Sequence, residues 1–135
     1  MSDRIEAAPA EASFIYKFMS ALMAFALWGS WAFYINADSG SSARILAGLV
    51  QGSASFVITL VLVRAVTWIS RLLPYGPAQV VVPALITVTV TGTFLVSIHT
   101  AFGTPNIAFT VTPALIVAFV FCLYTSYIVR TSKQR

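Results

Sequence analysis

Apolar residues run along this chain in four long blocks separated by short polar breaks. The blocks cover about residues 14–36, 44–73, 80–101 and 108–130. Each is near or above the roughly 20 residues a helix needs to cross a bilayer at about 1.5 Å per residue. The breaks are "NADSGSSA", "PYGPAQ" and "FGTPN", rich in the Gly, Pro, Asn and Ser that make turns. Residues 1–13 read as a polar N-terminal tail and 131–135 as a basic C-terminal tail, both poorly ordered. The pattern predicts an all-α polytopic membrane protein, with four transmembrane helices in one bundle.

One stretch argues locally for something else. "LITVTVTGTF", Leu85 to Phe94, alternates apolar and polar residues as a strand would. A lone strand in lipid leaves its backbone groups unpaired, at several kcal/mol each. A helix pairs them internally, and threonine hydroxyls can bond back to the preceding turn. Helix is therefore predicted here too.

Composition agrees with a membrane protein. Charged residues make up 9% of the chain and hydrophobic ones 59%, with a mean hydropathy of +0.88. A soluble domain carries about 25% charged residues. The start, "MSDRIEAAPAEAS", is acidic where a secretion signal would be basic, and the apolar run continues past "AFA" at Ala24 to Ala26. The first helix is therefore expected to be retained.

The charge of +4 points to topology instead of a nucleic-acid surface. Arg4 and Lys17 precede or open the first helix, Arg64 and Arg71 flank the second break, and Arg130, Lys133 and Arg135 follow the last helix. Arg44 alone belongs to the other side. The bias predicts both termini in the cytoplasm, in a bacterial inner membrane. Arg64 and Arg71, on one face with Trp68 between them, are the expected contacts for anionic lipid.

A weak internal repeat accompanies this topology. "GSWAFYINADSGS", Gly29 to Ser41, aligns without gaps on "GTFLVSIHTAFGT", Gly92 to Thr104. The alignment pairs Asn36 with His99 and Gly40 with Gly103. Two two-helix repeats of parallel orientation would follow, related by an axis along the membrane normal. Chance likeness between two apolar hairpins is the competing account.

Chemistry is sparse. No carboxylate lies inside an apolar block: Asp38 is in a break, and Asp3, Glu6 and Glu11 are in the tail. A proton-coupled carrier thus lacks its usual group. A single His and a single Cys exclude bis-histidine haem and make a zinc site implausible, so no cofactor or metal is expected. Ser and Thr abound, but a nucleophile needs a base and an orienting partner. The chain reads as a non-enzyme.

Polar residues gather at one predicted depth instead. Asn36, Arg44, Gln51, His99 and Asn106 would line a pocket near the outer face, with Gln51 about 10 Å below the outer end. For Gln51 and His99 the plainer account is an interhelical hydrogen bond and an interfacial residue. Trp28, Trp31 and Tyr34 read as an outer aromatic belt. Gly48, Gly52, Ser55 and Thr59 form a small-residue stripe for helix packing, within the chain or between copies. "GTP", Gly103 to Pro105, reads as a turn glycine, an N-cap and a first helical proline. Pro113 is expected to shape the start of the last helix.

The expected function is a small non-catalytic membrane protein of transport type, or one that interacts with lipid or a small molecule. Its expected partners are membrane lipids and a homo-oligomer or larger membrane complex, with no nucleic acid. The alternative is an accessory or assembly subunit of a larger membrane complex.

Overall fold

The computed structural model describes the backbone of residues 3–132 and the side chains of residues 13–132. It contains α1 (Asp3–Ile35), α2 (Ser41–Leu72), α3 (Ala78–Ala101) and α4 (Ile107–Ser132). A 3-10 turn at Ala37–Ser39 follows α1. All four helices contain spans long and apolar enough to cross a membrane. The alternating stretch in α3 is helical, and Thr93 and Thr100 donate to the carbonyls of Thr89 and Val96 one turn back.

The helices begin and end close to where hydropathy places them, except at the N-terminus. There α1 starts at Asp3, so residues 3–13 continue the helix instead of forming a separate tail. Ala and Glu, strong helix formers, dominate that stretch. Of the predicted C-terminal tail, residues 131–132 belong to α4; residues 1–2 and 133–135 lie outside the described residues.

Short connectors force successive helices to run antiparallel. One end of the bundle carries the α1–α2 and α3–α4 connectors, here the hairpin end. The other, the terminal end, carries both chain ends and the α2–α3 connector. Gly40 and Gly103, aligned in the repeat, both adopt positive φ, at 89° and 67°. Each turns the chain where L side chains are strained.

The core is built by α2, α3 and α4. Ala54, Leu95 and Val111 form one buried cluster, and Val66, Ala84 and Cys122 a second. Around them, large apolar side chains such as Leu49, Val61, Val90 and Val120 face outward, as a bilayer permits and water does not.

Helix α1 lies along α2 and meets α4 only sparingly. Glycine sets the close approach. A Cβ on Gly29 would stand 3.0 Å from the Gly48 carbonyl oxygen, and one on Gly48 3.0 Å from the Gly29 carbonyl oxygen. The Gly48–Gly52 part of the stripe is thus used within the chain. Ser55 and Thr59 face a different neighbourhood, described below.

Candidate functional site

The five predicted pocket residues divide into two hydrogen-bonded groups and one outlier. In the first group, Asn36 at the end of α1 reaches α4. Its amide nitrogen donates to the Ala32 carbonyl at 2.8 Å and to Thr110 Oγ1 at 3.0 Å. Its Oδ1 accepts the Asn106 backbone N–H at 3.0 Å. Asn106 in turn donates its side-chain amide to the Ile35 carbonyl at 3.3 Å. The two asparagines therefore bind carbonyls in the last turn of α1 and the backbone N–H of the residue that precedes α4.

In the second group, His99 on α3 reaches α2. Its Nε2 lies 2.7 Å from Gln51 Oε1 and its Nδ1 2.7 Å from Thr104 Oγ1. Gln51 Nε2 donates to Ser55 Oγ at 3.4 Å, so Gln51 Oε1 must be an acceptor. The neutral Nε2–H tautomer of His99 fits both neighbours, with Thr104 donating to Nδ1. This also corrects the predicted cap: Thr104 spends its hydroxyl on His99, α4 starts later, at Ile107, and Asn36 holds the N–H of Asn106 just before it.

The two groups mirror each other. Each polar residue from the end of a hairpin's first helix crosses to the second helix of the other hairpin: Asn36 to α4, His99 to α2. That is the pairing a two-fold axis along the bundle would produce. Asn36, Gln51 and His99 have 0% exposure. They form closed networks, so the expected open cup lined by them is not what the chain builds. Arg44 joins neither group; its guanidinium lies 3.9 Å above the Phe33 ring.

Two prolines add contacts that sequence reasoning missed. Proline has no N–H, so Pro113 leaves the Phe109 carbonyl without its helical donor, and Pro83 does the same to Gln79. Trp31 Nε1 donates to the Phe109 carbonyl at 2.9 Å, and Ser70 Oγ to the Gln79 carbonyl at 3.2 Å. Gln79 returns a bond to the Ser70 carbonyl at 2.9 Å, and Ser126 Oγ lies 3.1 Å from Ser70 Oγ. The i−4 rule identifies both carbonyls from sequence; the donors it does not.

The open space lies elsewhere. Where α1 stands off from α4, a cavity of about 290 Å³ remains, bounded by all four helices. Its walls are mostly apolar, from Ile58 and Leu62 on α2, Leu95 on α3 and Leu115 and Phe121 on α4. Ser55, Thr59 and Thr91 add hydroxyls, although Thr59 spends its own on the Ser55 carbonyl at 2.7 Å. Trp28 lines the cavity instead of joining an aromatic belt; Lys17 is the single charged residue in the lining. Arg64 and Arg71 are exposed on the far half of α2. Among the described residues, no three of His, Cys, Asp and Glu gather as a metal site would require.

No protein-family model, curated protein or solved structure matches this chain.

Proposed function

We propose that this is a non-catalytic integral membrane protein that takes an apolar or amphiphilic molecule from the bilayer into the α1–α4 cavity. The observation that carries the reading is the cavity itself. It is mostly apolar, bounded by four helices and lies within their apolar spans. Its size is near the lower limit of about 300 Å³ for small-molecule sites. At the hairpin end Asn36, Gln51 and His99 are buried and hydrogen-bonded to neighbouring helices, which favours lateral binding over passage through the bundle.

The reading includes a topology. The basic residues of the terminal end support a reading with both termini in the cytoplasm of a bacterial cell and the protein in its inner membrane. An assembly subunit is the weaker reading, because the Gly48–Gly52 surface that would recruit a partner helix is occupied by α1.

Gentle-detergent purification followed by native mass spectrometry tests the proposal. The expected result is a retained lipid or small apolar molecule on the wild type, lost in Ala118→Phe and in the milder Ala114→Leu, both of which fill the cavity. Equal retention in all three, or a stoichiometric unrelated protein in place of a small molecule, overturns it.

A further inference from the structure

An apolar slot alone cannot select its occupant from a bilayer. Hydrocarbon tails outside are as apolar as the slot, so moving a chain inward gains almost no hydrophobic energy. Selection must come from a polar contact at the slot's edge. The lining offers one charged group for that purpose, Lys17, with Tyr16 and Ser20 beside it at the terminal end.

The position of Lys17 is unusual for a simple anchor. It stands three residues into the apolar block that opens at about Phe14, about 5 Å along the helix at 1.5 Å per residue. A cation at that depth calls for an anion or a route to the interface. The cavity lining holds no carboxylate. Asp38, the one carboxylate among the described side chains, sits at the opposite end of α1, roughly 30 Å away along the helix axis. From Lys17 to Trp28 the slot follows α1 for eleven residues, about 16 Å. That is close to half of the roughly 30 Å hydrocarbon core, the depth of one leaflet.

We propose that the slot holds one acyl chain of an anionic glycerophospholipid of the terminal-end leaflet, with its headgroup phosphate on the Lys17 ammonium and its chain running to Trp28. The gap between α1 and α4 lets the second acyl chain stay in the bilayer. This rests on the lateral-binding reading above and adds the headgroup charge and the leaflet to it.

Trp28 supplies the test, because bromine on a lipid chain quenches tryptophan fluorescence on contact. The full chain is reconstituted into phosphatidylcholine vesicles containing a minor fraction of brominated phosphatidylglycerol, or of brominated phosphatidylcholine. The Trp28 signal is the difference between wild type and Trp28→Phe. The expected result is about five-fold stronger apparent binding of the anionic lipid, the effect of one basic residue facing an anion. Lys17→Gln, at an exposed position, removes the preference but keeps quenching by both lipids. Ala118→Phe lowers quenching by both. Equal quenching of wild-type Trp28 by the two lipids overturns the headgroup assignment and leaves lateral binding standing. Quenching by neither overturns both.

Discussion

The bond from Trp31 to the Phe109 carbonyl exists because of a proline in α4, and that dependence can be measured. Replacing Trp31 by Phe keeps an aromatic ring but removes the indole N–H that lies 2.9 Å from the carbonyl. With Pro113 in place, Phe109 then has no helical donor four residues on. A net hydrogen bond contributes about 1 kcal/mol. Interhelical bonds in membrane proteins measure lower, about 0.6 kcal/mol on average and about 1.7 at most. Trp31→Phe should therefore cost about 1–2 kcal/mol, including the lost indole area. In the Pro113→Ala background an N–H returns at residue 113, and Phe109 regains its helical partner. The area loss is the same in both backgrounds and cancels. A double-mutant cycle should then give a coupling of about 1 kcal/mol. Far-UV circular dichroism during SDS titration of mixed micelles reads the four stabilities without relying on tryptophan emission. A coupling below about 0.3 kcal/mol would show that the proline does not create the need for the indole.

Three further outcomes follow from the same geometry and are read by the same titration. Ser70→Ala should destabilise by about 1 kcal/mol by orphaning the Gln79 carbonyl, and Pro83→Ala should restore most of the loss; no recovery would contradict the argument. His99→Phe should cost about 1–2 kcal/mol because Gln51 and Thr104 lose their partner, whereas Gln51→Leu with His99→Phe should cost less than the single change, and a larger additive loss would refute this. Gly48→Ala should cost about 1–3 kcal/mol, since its Cβ meets backbone at 3.0 Å; Gly92→Ala should be nearly neutral, since it meets only a Leu115 methyl at 3.2 Å, and similar costs for the two would count against backbone contact as the cause.

Hydropathy and chain length suffice to identify four helices and their approximate limits, because a bilayer leaves so few ways to pair a backbone. The glycines that pack α1 on α2 and the two that turn the hairpins were legible for a related reason: each rests on the missing Cβ, a property of the residue type. The same holds for the two carbonyls that Pro83 and Pro113 expose. What the sequence could not decide is which groups meet. In the sequence Asn36, Arg44, Gln51, His99 and Asn106 share a depth, and depth is all that a helical count supplies. Rotation of each helix about its axis turned the two asparagines, Gln51 and His99 into two closed networks and left Arg44 outside both. Rotation also carried Trp28 from the expected belt to the cavity wall. The cavity itself belongs wholly to the tertiary structure. It arises because α1 leans on α2 through Gly29 and Gly48 and so stands away from α4, and a gap between two helices has no residue of its own to announce it.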